Sequence, residues 1–416
     1  MLREDRLLGE TRAILPDPLI TQYEDWIYPQ PISDLDAYAA NGGQDLSDPS
    51  RMRRKLWPRA VEPATLDILV AGCGANQAAI IAHANPQHRV VGIDLSSQAL
   101  AHHERLKKRH RLSNLELRQI AVENASEFGQ QFDYVVSTGV LHHLPDPAAG
   151  LSALRGVLAQ HGVISVMLYG NSRRFGVYMV QEAMRSLGVE RDPAGVAFAR
   201  ETVGNLPAWH HARSYLDHAP DLGYDAGFVD TVLNARDRAY TIPEIMDLVT
   251  EAGLRFQSWL DGLYYSPAAV FPAEAQIHDR IYHLPREQQW HVVDLLAQVT
   301  GAHRFLVCHP ERKDEDLHPD FAEPAGAWLD YVPHRHPDLR IASGSENSGK
   351  IEREWHGFNL DGAAFATFNQ IDGYRTFRDL MADMSDIDER EHVSAVFAQM
   401  IEWDHLFVSC APNPTN

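Results

Sequence analysis

From Leu66 to about Gly170 the chain alternates short apolar runs with stretches of helical periodicity, and nothing else in the sequence restricts the fold as tightly. The runs LDILVAG, RVVGIDLS, LELRQIAV, FDYVVSTGV and GVISVMLYG are rich in Val, Ile and Leu and end at turn residues, so they read as strands. Between them, NQAAIIAHA, SSQALAHHERLKKRH and PAAGLSALRGVLAQ space their apolar residues as helices do. Each crossover must return the chain to the same end of the sheet, so the strands are parallel with helices on both faces. The expected fold is a doubly wound, mostly parallel α/β domain over residues 61–312.

The pattern breaks after the fifth strand. Residues 171–238 are helical in pattern and hold several aromatic and His residues, including NLPAWHHARSYLDH. An insertion there sits above the carboxyl ends of the strands and can cover a ligand crevice. TIPEIMDLVTEAGLRFQSWL then reads as a helix, a turn at Gly253 and a strand, and GAHRFLVCHP as a last strand. Residues 1–60 form an N-terminal extension. Its segment Tyr23 to Ile32, YEDWIYPQPI, is too rich in proline for a regular helix and too aromatic for a free tail. It either lies across the mouth of the site or packs on the sheet edge. Residues 313–350, with much Pro, Asp, Gly and Ser, read as a connecting region. Residues 351–416 give two or three amphipathic helices ending in a strand, with a turn at Asp372 and Gly373. This small α+β unit is expected to be winged-helix-like and to serve docking or dimerisation.

A formal charge of -20 over 416 residues opposes a nucleic-acid partner, which needs concentrated Lys and Arg. The exception, Arg105 to Arg111, reads as a solvated helix face. Cys73, Cys308 and Cys410 form no C-x-x-C pair, which suggests reduced thiols in a cytoplasmic setting. The opening MLREDRLLGETRAILPDPL lacks the continuous apolar stretch of a secretory signal, and no later run is apolar for the ~18 residues that span a bilayer, so no membrane association is expected. The histidines show no metal spacing, and HDRIYH, His278 to His283, lacks the carboxylate context of a zinc helix. No metal is expected.

The stretch LVAGCGANQAA, Leu69 to Ala79, joins the first strand to the first helix. Gly72 and Gly74 allow a sharp turn and let a ligand approach main-chain N–H groups. A pyrophosphate-binding corner carries a third glycine, and Gln77 stands in its place. Asp94 closes the second strand, where an acceptor-only carboxylate can hold both hydroxyls of a ribose. The corner and the acid together point to a nucleoside, and the missing glycine weakens a dinucleotide.

At these residues the chain resembles the class I S-adenosylmethionine-dependent methyltransferases. DILVAGCGANQ is similar to their glycine-rich motif, VVGIDLS to the acidic one, FDYVVSTGVLHHLPDP to the next, and LRGVLAQHGVISVMLYG to the helix and strand that follow. The resemblance implies S-adenosyl-L-methionine as cofactor. It places Gly72 and Gly74 beside the methionine part, with main-chain contacts from Ala71 and Cys73 and with Asn76 and Gln77 opening the next helix. Asp94 would hold the ribose and Leu95 would pack beside adenine. Ala121 stands where many relatives have an Asp for the adenine amino group, so the Val122 main chain or Glu123 takes that place. Thr138 and Gly139 would lie near the methyl group.

The acceptor side is read from the strand ends. His142 and His143 follow the fourth strand and either supply a base or shape the turn. Tyr169, Arg174, Tyr178 and Gln181 follow the fifth; Tyr178, a further catalytic candidate, shares a helix face with Gln181, and Arg174 either holds an anionic acceptor or is solvated charge. His210 and His211 line the cover or join its core, and Tyr28 comes from the extension. The expected function is methyl transfer by in-line displacement to a small-molecule or peptide or protein acceptor. A cofactor-binding regulatory protein without turnover and a nucleotide-dependent oxidoreductase stand as the alternatives.

Overall fold

The computed structural model describes residues 17–58, 65–313, 317, 326–345 and 347–409. Residues 1–16 of the opening read for a signal, and Cys410, lie outside these. The extension contributes α1 (Pro18–Asp25), α2 (Leu35–Ala40) and α3 (Pro49–Leu56). Asp17, Asp34 and Asp48 cap them, each side chain accepting a backbone N–H of the first turn.

Behind them lies one eight-stranded sheet. Its strands are β1 (Asp67–Ala71), β2 (Arg89–Asp94), β3 (Leu115–Gln119), β4 (Phe132–Thr138), β5 (Leu158–Gly170), β6 (Ala239–Tyr240), β7 (Arg255–Trp259) and β8 (Ala302–Cys308). They run in the order β3-β2-β1-β4-β5-β8-β7, with β6 beside the end of β5. The pairs from β3 to β5 are parallel, whereas β8 runs antiparallel to both β5 and β7. From β1 the chain turns first to β2 on one side and later to β4 on the other. That reversal opens a crevice beyond the carboxyl ends of the strands.

The central strands are buried on both faces, and their alternate residues divide between two cores. Ile68 and Val70 of β1 join Tyr134, Val136 and the apolar sides of α3, α4 (Gln77–Ala84) and α5 (Ser97–His110). Leu69 and Ala71 join Val135, Ile164 and the other layer, built from α6 (Pro147–Gly156) and a later helix that carries Ile245, Leu248 and Val249. The inserted cover follows β5. It comprises α7 (Asn171–Ser186), α8 (Pro193–Gly204), α9 (Arg213–Leu216) and α10 (Asp225–Val232), with its own core of Val177, Val180, Met184, Ala199, Phe228 and Val232. Next come α11 (Ile242–Glu251), which bears those three residues, then α12 (Pro267–Val270), α13 (Ile277–Ile281) and α14 (Arg286–Ala297). Thr241 and Glu244 open α11 with a reciprocal capping box.

The terminal unit departs from expectation. It holds β9 (Val332–Arg335), β10 (Arg340–Gly344), β11 (Ser348–Arg353) and β12 (His356–Asp361) before α15 (Gly362–Asn369), α16 (Phe377–Leu380), α17 (Ile387–Glu402) and β13 (Leu406–Ser409). The stretch read as connection carries β9, β10 and the first half of β11, and strands precede the helices. β10 is exposed along its whole length and lacks the alternation by which a strand is recognised; its pairing with β11 makes it one. β13 returns to pair with β9, and its Phe407 enters the core under β1 and β4, fastening this unit to the sheet domain.

Candidate active site

A cavity of about 660 Å³ opens beyond the carboxyl ends of β1, β2, β4 and β5. The glycine corner forms its floor. Gly72 has φ +73°, and a Cβ there would fall 2.4 Å from Val140 Cγ2. Gly74 has φ +52°, and a Cβ there would press on Pro29 Cδ at 3.0 Å and the Tyr28 carbonyl at 3.1 Å. Both positions combine the left-handed backbone with close approach, which is why side chains are excluded. Gln77 begins α4 and uses its side chain instead of yielding space: its amide donates to Asp45 Oδ2 at 2.9 Å and Thr138 Oγ1 at 3.2 Å. That is the local reason a third glycine is absent.

Asp94 ends β2 and faces the cavity. Its Oδ2 accepts the Gly74 N–H and its Oδ1 the Ser96 N–H, both at 2.8 Å, which fixes the carboxylate plane. Burial raises its pKa while those N–H donors oppose the rise. Leu95, Ile120, Val122 and Glu123 continue the wall toward β3. Cys73 also lines the floor, and burial pushes its thiol well above the ordinary range, so it packs rather than reacts.

The extension roofs the cavity as a strap, contributing Leu19, Tyr23, Tyr28, Pro29, Gln30 and Ile32. Asn76 pins it: the Ile32 N–H donates to Asn76 Oδ1 and Asn76 Nδ2 donates to the Gln30 carbonyl, both at 2.9 Å. Opposite the corner stand four tyrosines tied to two carboxylates. Tyr23 and Tyr169 donate to Asp230 at 2.8 and 3.1 Å, and Tyr28 and Tyr224 donate to Asp221 at 3.1 and 3.3 Å. Burial and the adjoining carboxylates raise all four phenols, so each keeps its proton and points it at a carboxylate. Their oxygen lone pairs are what remains to a ligand.

His143 lines the cavity beside them. Its Nδ1 lies 2.8 Å from the Arg236 carbonyl, which can only accept, so Nδ1 carries the proton and Nε2 the lone pair. His142 does not line the cavity. It is 1% exposed, and burial drives its pKa far down; it is a neutral spacer against Tyr169, ring centroids 4.0 Å apart.

Of the residues singled out in the sequence, the cavity gathers Gly72, Cys73, Gly74, Asn76, Gln77, Asp94, Leu95, Val122, Glu123, Thr138, Gly139, His143, Tyr28 and Tyr169. Ala71 is buried in β1, outside the lining. Arg174, Tyr178 and Gln181 also stand behind the wall. The Arg174 guanidinium lies 3.6 Å from the Tyr169 ring centroid and donates to Tyr215 Oη at 2.6 Å, and all three side chains converge on Asp237. Arg174 is thus neither an anion anchor in the cavity nor solvated charge: it is fully buried under Tyr169. His210 and His211 stay in the cover, His210 accepting the Ala212 N–H and His211 meeting the Phe175 ring. Asp45, Asp221, Tyr224 and Met167 line the cavity and were not singled out. The proximity of Tyr224 and Asp221 in an otherwise helical insertion was the only hint available.

The fold also brings Asp36, His83 and His110 together, with one ligand atom of each within 4.8 Å of the others. His110 Nε2 accepts the Leu35 N–H, so its proton sits on Nδ1 facing Asp36, and no lone pair is left there for an ion. No helix among the described residues is long and apolar enough to cross a membrane.

Comparison with known proteins agrees with this geometry. A protein of Synechococcus sp., described as uncharacterized, is 28% identical over 323 residues, which is 73% of this chain and 76% of that one. The structure of PKMT2 from Rickettsia typhi superposes with a TM-score of 0.63 at 14% identity, covering 88% of this chain and 76% of that one. The same protein in complex with AdoHcy superposes at 0.61 with equal identity. These structures share the fold, over more of the chain than the large sheet alone. Residues 69–164, from the glycine corner to the middle of β5, match the Methyltransf_12 family, described as a methyltransferase domain. The chain therefore carries a methyltransferase domain over residues 69–164, set in the doubly wound sheet.

Proposed function

We propose that this methyltransferase acts on an amine nitrogen, presented at the tyrosine–carboxylate wall. One observation carries the choice of acceptor: the wall away from the cofactor residues offers Asp221 and the tyrosine oxygens, and among the described residues no Lys or Arg lines the cavity. An anionic acceptor would find no cation among those described residues, whereas a protonated amine finds the Asp221 carboxylate and phenol oxygens oriented by their own hydrogen bonds.

The residues fit the cofactor. The corner excludes side chains at Gly72 and Gly74, Asp94 holds a rigid carboxylate for a ribose diol, and Leu95, Val122 and Glu123 offer an apolar wall with a polar end for adenine. Asn76, Gln77, Thr138 and Gly139 take the methionyl part. Bound S-adenosylmethionine supplies an electrophilic methyl carbon on a sulfonium, open to in-line attack. The chain's own work is alignment and proton management. The strap and cover exclude water, Tyr23, Tyr28, Tyr169 and Tyr224 orient the ammonium by accepting its N–H groups, and His143 Nε2 takes the proton that must leave before nitrogen can attack.

The test is chemical. Protein incubated with methyl-labelled S-adenosylmethionine and cell extract should place label on an acceptor in a form that survives mild base, as N-methyl groups do. Label released by base would mean a carboxyl ester and would refute the amine reading. Size fractionation of the same sample separates peptide or protein acceptors from small molecules. Binding without any transfer would favour a regulatory protein that keeps the fold.

A further inference from the structure

We infer that Asp45, outside every sequence motif, anchors the α-ammonium of the cofactor's methionyl tail and makes the loop before α3 part of the cofactor site. The inference rests on the cofactor reading above. The sheet order gives the direction of the ligand. Glu123 and Val122 stand beyond β3, Asp94 ends β2, the glycine corner follows β1, and Thr138 and Gly139 end β4. A molecule whose ribose meets Asp94 and whose adenine lies toward β3 must extend its tail across β1 toward β4. Gln77 stands at that crossing, bridging Thr138 and Asp45.

The tail ends in an ammonium and a carboxylate. Among the described residues no Lys or Arg lines the cavity, so the pairing they offer to charge is the ammonium on a carboxylate. The other carboxylates are committed elsewhere. Asp94 lies at the ribose position, Glu123 beyond it, and Asp221 is held by Tyr28 and Tyr224 on the opposite wall. Asp45 is the acid at the β1–β4 crossing. Its Oδ1 accepts the Ser47 N–H at 2.8 Å and its Oδ2 the Gln77 amide at 2.9 Å, one neutral donor on each oxygen, so each retains a lone pair. The loop that carries it is itself fixed. The Ser47 carbonyl accepts Tyr134 Oη at 2.9 Å, and Asp48 caps α3 while accepting Asn85 Nδ2 at 2.9 Å.

Calorimetry on the full chain separates this role from a structural one. S-adenosylhomocysteine carries the ammonium, its deaminated analogue keeps only the carboxylate, and 5′-methylthioadenosine lacks the tail. In Asp45→Asn and Asp45→Ala, affinity for S-adenosylhomocysteine should fall at least about tenfold, the loss of one charge-assisted hydrogen bond. Affinities for the other two ligands should stay within about twofold of wild type. Equal weakening of all three ligands, or an unchanged affinity for S-adenosylhomocysteine, would overturn the assignment. Failure of the unaltered protein to bind any of the three would sink the cofactor reading itself, a distinguishable outcome.

Discussion

Two regions of the molecule concentrate buried titratable side chains, and only one of them has the makings of a site. At the junction between the sheet domain and the terminal unit, Arg353 is 2% exposed and spends its guanidinium on His405 Nδ1 at 3.3 Å, Asp261 at 3.2 Å and the Trp403 carbonyl at 2.9 Å. Because His405 Nδ1 accepts, its proton lies on Nε2, 3.1 Å from His356 Nδ1, and the chain of donors runs from Arg353 through His405 to His356. Lys55 pairs with Asp404, which also accepts the Gly262 N–H, and Arg51 pairs with Asp338 at 2.6 Å. In the cavity the same residue types are arranged so that their capacity is unspent. Tyrosine protons point away from the void, carboxylates hold one donor per oxygen, and His143 keeps a lone pair. Clustered charge thus marks a binding site where hydrogen-bonding capacity is left facing space, and marks a weld where it is consumed.

Breaking the weld should have the largest effect. In Arg353→Met the buried Asp261 carboxylate loses its partner, and removing one member of such a pair costs about 3–5 kcal/mol. The unfolding midpoint should drop sharply, with the affinity for S-adenosylhomocysteine below the transition unchanged. A parallel loss of affinity would show that the two regions act as one. The junction should also fail in acid. Burial, helped by Arg353, lowers His405 to about 2 and His336 to about 3, and burial with Arg54 and Arg53 lowers His334 to about 3. The unfolded chain titrates these rings near 6.5, so it binds more protons than the folded one below that pH. Their contribution to stability is complete above about pH 6.5 and is lost progressively toward pH 3. A thermal midpoint that stays flat across that window would contradict the assignment of neutral, buried imidazoles.

In the cavity the largest effect belongs to Asp94. Asp94→Ala removes the acceptor for a ribose diol and frees the Gly74 and Ser96 N–H groups, a loss of about 3 kcal/mol in ligand binding, or more than about a hundredfold in affinity. Calorimetry with S-adenosylhomocysteine reads it directly. The thermal midpoint should move far less than in Arg353→Met, which sharpens the contrast between site and weld.

What the chain disclosed beforehand divides along the same line. β1 to β5 are short, apolar and bounded by turns, so local pattern sufficed for them, and the floor residues from Gly72 to Gln77, with Asp94, Thr138 and Gly139, follow because they sit where strands end. The opposite wall is made by tertiary packing. Asp45 and Tyr28 arrive from the extension and Asp221 and Tyr224 from the inserted helices, and no period links them. Arg174 shows the converse failure: its place after β5 suggested a ligand anchor, yet the cover closes over it and presses it against Tyr169. β10 was invisible because a strand exposed along its whole length exists only through its neighbour.

The smallest predicted effect tests the wall itself. Tyr28 stacks against Tyr224 with ring centroids 6.5 Å apart and donates to Asp221, so Tyr28→Phe keeps the ring and removes one phenol oxygen. A neutral hydrogen bond contributes about 0.5–1.5 kcal/mol, and an acceptor amine losing one such contact should show KM raised roughly three- to tenfold. Asp221 keeps the Tyr224 proton as a partner, so the fold is spared. Cofactor affinity should not change, because the floor and Asp94 are untouched. If instead affinity for S-adenosylhomocysteine fell while KM for the acceptor held, Tyr28 would belong to the strap's grip on the cofactor, and the division of the cavity into a cofactor floor and an acceptor wall would have to be redrawn with the strap on the floor's side.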